Sequence, residues 1–182
     1  MKGVFFKRVA IVAIAAVTMS VSAVAQKQGD KAVGGNLVLG MGDEITNIGI
    51  GGKFQYNVTD PIRLEGSLTF FLPKKYEAMF AKAKMSFWNL DVDGHYLFPL
   101  NDKITVYPLA GVGIQGWKVK VDVDLGEWGS GSGSNSGSDV CFNLGGGIDV
   151  KLTDVLFLNG GLKYKISEWN RFIISVGVAY KF

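Results

Sequence analysis

The stretch Arg171-Phe172-Ile173-Ile174-Ser175-Val176-Gly177-Val178-Ala179-Tyr180-Lys181-Phe182 decides the fold. Phe172, Ile174, Val176, Val178, Tyr180 and Phe182 fall on one face, and Arg171, Ile173, Ser175, Gly177, Ala179 and Lys181 on the other. A period of two belongs to an extended strand, whose successive side chains point to opposite sides. A helix would instead gather apolar residues three and four apart.

The same alternation repeats backwards through the chain. Leu156, Leu158, Leu162, Tyr164 and Ile166 oppose Asn159, Gly161, Lys163 and Lys165; Val140, Phe142, Leu144, Ile148 and Val150 oppose Cys141, Asn143, Asp149 and Lys151. Ile104, Val106, Ala110, Val112 and Ile114 oppose Thr105, Tyr107, Gly111, Gly113 and Gln115. Trp88, Leu90, Val92, Tyr96 and Phe98 oppose Asn89, Asp91, Asp93 and His95. Ile62, Leu64, Leu68, Phe70 and Leu72 oppose Arg63, Glu65, Ser67 and Thr69, and Ile48, Ile50, Phe54, Tyr56 and Val58 oppose Asn47, Lys53 and Gln55. A glycine-rich first strand near Val33 to Met41 brings the count to eight, an even number. Tight Asn/Asp turns at Asn57–Asp60, Pro99–Asp102 and Leu152–Asp154 alternate with Gly42–Ile45, Pro73–Lys84, Lys118–Asp139 and Ser167–Asn170. Short turns at one end and longer connections at the other predict an eight-stranded antiparallel up-and-down barrel.

Alternation alone fits two barrels, a lipocalin-like carrier with its apolar face inward and a membrane barrel with that face outward. Three features favour the membrane. Aromatics on the apolar face gather at strand ends, Tyr56, Tyr96, Phe98, Tyr180 and Phe182 at the short-turn end and Phe70, Trp88, Phe142, Tyr164 and Phe172 at the other. Two such girdles match the two interfaces of a bilayer. No charge interrupts the apolar face within a strand, where it would cost roughly 2–4 kcal/mol near the midplane. The opposite face is small and polar, as a narrow lumen requires.

The N-terminus reads as an address. Lys2, Lys7 and Arg8 precede the apolar run Val9–Val17, and Ala23-Val24-Ala25 supplies a small-x-small cleavage site. The expected layout is a signal peptide over 1–25, a short lead over 26–31 and a barrel domain over 32–182. Of 182 residues, 48% are apolar, which provides one core's worth of chain. The formal charge of +3 is carried by the leader; without Lys2, Lys7 and Arg8 the cations number 16, equal to the 16 carboxylates, and no nucleic-acid partner is expected.

Through this signal, the eight alternating segments and the ending Val176–Phe182, the chain resembles the small outer-membrane β-barrel proteins, the OmpA-like and OmpX-like porin-family barrels, over its whole mature length. Leu90–Tyr96 and Val106–Gly113 are similar to stretches typical of such barrels in Bacteroidetes-like bacteria. The resemblance implies residence in the bacterial outer membrane, contact with its lipid and lipopolysaccharide, and a final strand whose Tyr180 and Phe182 are read by the barrel-assembly machinery. It implies no cofactor and little about activity. With nothing after Phe182, a peptidoglycan-binding role is not expected.

Sites of chemistry are few. One cysteine and one histidine remove most metal, disulfide and acid–base sets. Gly111-Val112-Gly113-Ile114-Gln115-Gly116 spells GxGxxG, but alternation continues through Trp117–Asp124 where a nucleotide site needs a helix. The same passage predicts a bulge near Gly116, because the apolar parity changes there. His95 stands at the short-turn end, without a serine to activate, and with Asp93 it offers too few metal ligands. Catalytic, cofactor and metal residues are therefore none, and no enzyme is expected.

The charges of the polar face carry more information. Glu65, Asp91 and Asp93 on the third and fourth strands should face Lys163, Lys165 and Arg171 on the seventh and eighth, with Lys53 beside Glu65, and Arg63 and His95 in the same network. The expected result is a salt-bridged plug in a lumen that eight strands leave just wide enough for side chains. A narrow pore for ions or small solutes is the first alternative, the apolar-ligand carrier the second. Loop 73–84, with four lysines around Tyr76, Met79 and Phe80, is expected to be a solvated loop, with a short amphipathic helix on the outer rim, drawn to lipid phosphates, as the alternative; loop 118–139 is expected to start as a ribbon and end in a flexible Gly-Ser linker, Gly129–Ser138. Both are candidate contacts for an extracellular partner. Cys141 is expected to be a shielded free thiol.

Overall fold

The computed structural model describes residues 27–42, 46–78, 81–124 and 130–182. The signal-peptide reading lies outside the described residues. Ten strands follow one another: β1 (Lys31–Met41), β2 (Thr46–Asn57), β3 (Ile62–Phe71), β4 (Lys74–Ala78), β5 (Ala81–Tyr96), β6 (Phe98–Pro99), β7 (Ile104–Asp124), β8 (Ser130–Lys151), β9 (Leu156–Ile166) and β10 (Arg171–Lys181). Eight are staves, and β4 and β6 are short strips added to β5 and β7. Each stave pairs antiparallel with the next in sequence, and β1 pairs with β10 from Ala32↔Lys181 to Met41↔Phe172. The sheet closes on itself and every stave has two neighbours. Closure matters because an open edge would leave backbone N–H and C=O groups unpaired in an apolar solvent.

The turns at the short end are held by the residues that mark them. Asn101 Oδ1 accepts the backbone N–H of Lys103 and of Ile104, both at 2.9 Å. Thr153 Oγ1 accepts Leu156 N–H at 3.0 Å, and Val58 N–H donates to Ile62 O at 2.9 Å. Short polar side chains thus replace ladder bonds where the chain reverses.

The barrel is inverted relative to a soluble protein. Val33, Leu37, Ile50, Phe54, Leu68, Leu90, Val112, Leu144, Leu162, Val176 and Val178 are exposed on the outer wall. The buried side chains include Asn47, Gln55, Arg63, Asp91, Asp93, His95, Gln115, Asn143 and Lys165. This polarity removes the lipocalin-like alternative, which needs an apolar cavity. Among the described residues no helix is long and apolar enough to cross a membrane; strands present the apolar surface.

Three expectations are corrected at the long-loop end. The region expected as a solvated loop, or alternatively a short amphipathic helix, is a hairpin, β4 running back along β5 with Lys74↔Met85 to Ala78↔Ala81; Met79 and Phe80 lie outside the described residues. The bulge near Gly116 is absent, since β7 keeps one register with β8 from Ile104↔Val150 to Asp124↔Ser130 and with β5 through His95↔Leu109 to Ala81↔Val123. What changes at Gly116 is the chemistry of the two faces. Below it Ile114 and Val112 point outward; above it Lys118 and Lys120 do, and Trp117 and Val119 turn inward.

The Gly-Ser tract is the third correction. Ser130–Ser138 is strand, paired with Gly116–Asp124. One of its glycines has a packing reason: a Cβ on Gly137 would stand 2.7 Å from the Trp117 ring, so glycine leaves room for the indole on the inner face, while Ser132, Ser134, Ser136 and Ser138 are exposed outside. Ladder hydrogen bonds come from the backbone, so a sequence without large side chains still pairs when its partner strand is fixed.

Candidate functional site

The lumen is built from the inward residues of all eight staves and divides into three levels. At the short-turn level, Arg63 of β3 donates from Nη1 to Asp149 Oδ2 of β8 at 2.6 Å and from Nε to His95 Nδ1 of β5 at 3.1 Å. Its guanidinium lies 4.7 Å from the centroid of Tyr107, on which His95 stacks at 4.5 Å with the ring planes 11° apart. Asn159 Nδ2 donates to the other Asp149 oxygen. A cation with 1% of its surface exposed is thus satisfied by a carboxylate, an imidazole and an aromatic face.

In the middle level, Lys163 of β9 donates to Asp91 Oδ2 at 2.9 Å and to Asp93 Oδ2 at 2.8 Å, both on β5 across the lumen. Lys165, wholly buried, pairs with Asp91 Oδ1, and Asn143 Nδ2 donates to Asp93 Oδ1 at 2.7 Å. Lys53 lies 3.8 Å from Glu65 Oε2, which also accepts Gln55 Nε2 at 2.6 Å. The two β5 carboxylates fit because β7 carries glycine opposite them. A Cβ on Gly111 would collide with Asp93 Oδ1, and one on Gly113 with Asp91 Oδ1, in the register Asp93↔Gly111 and Asp91↔Gly113. A residual cavity of about 40 Å³ touches Lys53, Glu65, Asp93, His95, Tyr107 and Lys163. That is room for a few waters.

At the long-loop level an apolar cluster enters the lumen beside the buried side chains of Asn47, Asn89 and Gln115. Val38, Phe71 and Ile173 form a buried cluster with Phe87 packed against it. Arg171 belongs here and not to the ionic network: its guanidinium sits 4.2 Å from the Phe87 centroid and 5.8 Å from that of Phe71. Among the described residues no carboxylate lies within ion-pair distance of it, which corrects its expected place in the basic wall. Four residues that sequence reasoning left out of the network are central to these levels: Asp149, Tyr107, Asn143 and Phe87. The inward parity of Asp149, Tyr107 and Asn143 was readable in the alternation. Phe87 was hidden beside Trp88, and Phe71 beside Phe70, because adjacent aromatics supply both faces at once.

The girdle aromatics all lie on the outer wall. Phe70 stands opposite Trp88 in the register and Phe172 opposite Tyr164, whose rings are 4.6 Å apart. At the other end Tyr96 and Phe98 are 4.7 Å apart, and Tyr56, Tyr180 and Phe182 are exposed. Cys141 is buried without a disulfide partner.

Ligand atoms of Glu65, Asp93 and His95 lie within 4.8 Å of one another, a third member that sequence spacing did not supply. The geometry does not fit a metal ion. Arg63 can only donate, so His95 Nδ1 must be the acceptor and the ring proton sits on Nε2. Nε2 is the nitrogen left without a partner, and in this tautomer it has no lone pair to give. Both Asp93 oxygens and Glu65 Oε2 already accept, from Lys163, Asn143 and Gln55. The pocket is a place for bridging water, which could accept from Nε2–H.

The family model described as outer membrane protein beta-barrel domain matches residues 10–182. Among solved structures, a major outer membrane protein from Thermus thermophilus is similar with a TM-score of 0.63 at 13% identity, covering 85% of this chain and 99% of that one. Ail, the attachment invasion locus protein of Yersinia pestis, gives a TM-score of 0.59 at 15% identity, again over 85% and 99%. Neisserial surface protein A gives 0.53 at 16% identity over 84% and 96%. At these identities the likeness is one of fold. A search of curated proteins finds no match.

Proposed function

The chain belongs to the outer-membrane protein β-barrel domain family, and from that premise we propose that it is a non-conducting surface barrel, a rigid support for the sheet that projects from its long-loop end. Its location is the bacterial outer membrane. The reading takes the long-loop end as extracellular and the short turns as periplasmic, the usual arrangement of such barrels.

The observation that carries the non-conducting role is the middle level, where Lys163 spans from β9 to both Asp91 and Asp93. A path for ions would need a continuous wet column, but the ion pairs cross the lumen and the Val38–Phe71–Phe87–Ile173 cluster caps them. The lumen cavity that remains is about 40 Å³, room for a few waters. The barrel's work is then done outside, where β5, β7 and β8 extend beyond the upper aromatic row. The role in this reading is one of contact, made through the projecting sheet.

Planar-bilayer recording with the refolded chain tests this reading. A silent membrane at either polarity is expected; reproducible unitary conductance steps that disappear in a variant with a larger lumen side chain would overturn it in favour of a narrow pore.

A further inference from the structure

One row of the inner wall runs Asn89↔Gln115↔Asp139 across β5, β7 and β8, so three side chains that end in oxygen stand side by side. Residues opposite one another in a sheet have Cβ atoms about 4.5–5.5 Å apart, near enough for three such side chains to share one ion. Asn89 is 2% exposed and Gln115 1%, yet Asn89 Oδ1, Gln115 Oε1 and Asp139 Oδ2 are all buried without a hydrogen-bond donor. Buried acceptors are ordinarily satisfied, and three orphans in one row call for a common partner.

Asp139 differs from the other carboxylates of the lumen. Glu65, Asp91, Asp93 and Asp149 each have a lysine or an arginine within ion-pair distance. Among the described residues no cation stands so close to Asp139, and the guanidinium of Arg171 is taken up by Phe87. The row also lies where the projecting sheet leaves the barrel. β9 follows β8 only as far as Phe142↔Ile166, so at Asp139 the one ladder partner of β8 is β7. Asp139 is half-buried, and an ion can reach it from the long-loop end.

The donor set identifies the ion. It is oxygen only, one carboxylate and two amides, which suits a hard cation and not zinc with its preference for nitrogen and sulfur. Side chains of three different types on three strands fit calcium, which accepts irregular sets of oxygens completed by water, better than magnesium with its strict octahedron. We propose that Asn89, Gln115 and Asp139 bind a calcium ion that ties the free edge of β8 to β7 and β5 at the base of the projecting sheet. With a single charged ligand the affinity falls at the weak end of calcium sites, at about 10⁻⁴–10⁻³ M.

The inference uses the register of the wall and does not depend on whether the lumen conducts. It is tested with the full chain refolded in detergent micelles, using terbium as a luminescent stand-in for calcium. Trp117 is the next inward residue after Gln115, about 7 Å along the strand, so its indole can sensitise an ion held in the row. Wild type should give saturable sensitised emission that calcium displaces, and calcium alone should raise the thermal unfolding midpoint. D139N should bind about tenfold more weakly or worse and lose the calcium-dependent rise, because the affinity of such sites follows ligand charge. Q115E, which adds a second carboxylate to the row, should bind more tightly than wild type. W117F should lose most of the sensitised emission but keep the calcium-dependent rise. D122N, altered at an exposed carboxylate of the same sheet, should behave as wild type. An unchanged heat shift on SDS gels shows that each variant is folded, and Q115E decides the matter if D139N is not. Equal terbium affinity in wild type and D139N, no gain in Q115E, or a midpoint that calcium leaves unmoved would overturn the proposal. Each of these would leave membrane insertion and the cross-lumen ion pairs standing.

Discussion

Arg63 and His95 meet with the guanidinium as donor and Nδ1 as acceptor, 3.1 Å apart, so the only histidine of the chain has its protonation pattern set by a neighbouring arginine. The ring is held on its other side by the Tyr107 stack. It follows that a divalent transition metal should find no ligand there despite the nearby Glu65 and Asp93. Zinc added to the refolded barrel should leave its thermal unfolding midpoint unchanged, whereas a metal-dependent rise lost in His95→Ala would contradict the assigned tautomer.

The middle level makes a ranked prediction. Asp91 receives two lysines and Asp93 one lysine and an amide, while Glu65 meets Lys53 at 3.8 Å. Asp91→Asn should destabilise most, by about 3–5 kcal/mol, because it leaves buried ammonium groups uncompensated. Asp93→Asn should follow, and Glu65→Gln should cost least. Urea unfolding in detergent micelles measures the order, and unchanged midpoints for Asp93→Asn and Glu65→Gln together would remove the salt-bridged core from the account.

Glycines of the same barrel should differ sharply in tolerance. Gly113→Ala puts a methyl against the Asp91 carboxylate and 2.7 Å from the Leu90 carbonyl, so refolding yield should fall severely. Gly133→Ala meets nothing within 4 Å and should be neutral within about 0.5 kcal/mol. Parallel refolding assays by gel mobility read both.

Arg171 should not be replaceable by lysine. Its flat guanidinium stacks on Phe87, a contact that an ammonium makes less well. Arg171→Lys is expected to lower stability by about 1 kcal/mol, and Phe87→Leu to abolish most of the difference between arginine and lysine. A double-mutant cycle gives the coupling directly.

The Cys141 thiol should be silent. With no exposed surface in the folded barrel, it should resist maleimide labelling in native detergent and label fully in denaturant. Rapid labelling of the folded form would mean that β8 opens at this level.

Much of the fold was legible because a barrel in lipid obeys one rule along its whole length. Phe172 to Phe182 or Trp88 to Phe98 alternate so strictly that strand, face and turn follow from local residues. The cross-lumen pairing of Lys163 with Asp91 and Asp93 was also readable, since strand order in an up-and-down barrel is sequence order. Legibility stopped where that rule did. Above the Trp88 row both faces meet water, and there the Ser130–Ser138 composition suggested a linker and Pro73–Lys84 a solvated loop. Neither segment reveals its strand state alone; each pairs because β5 and β7 already stand beside it. Arg171 was misplaced for a related reason: parity put it inside the barrel, but only the packing of Phe87 and Phe71 decides what it touches there.

The seam between β1 and β10 has a kinetic meaning. Every other pairing joins sequence neighbours, so hairpins can zip one after another, but Ala32 must find Lys181 across the whole length of the domain. Loop-closure entropy therefore concentrates in one late event, the locking of a nearly complete curled sheet. The Asp30–Lys181 ion pair at 3.2 Å and the Phe182 N–H bond to Lys31 O at 2.9 Å are the clasp of that seam. They also bring the two ends of the domain within a short linker's reach. A circular permutant joined there and opened at the Asn101–Lys103 turn would keep every ladder while turning the slow long-range step into a local one.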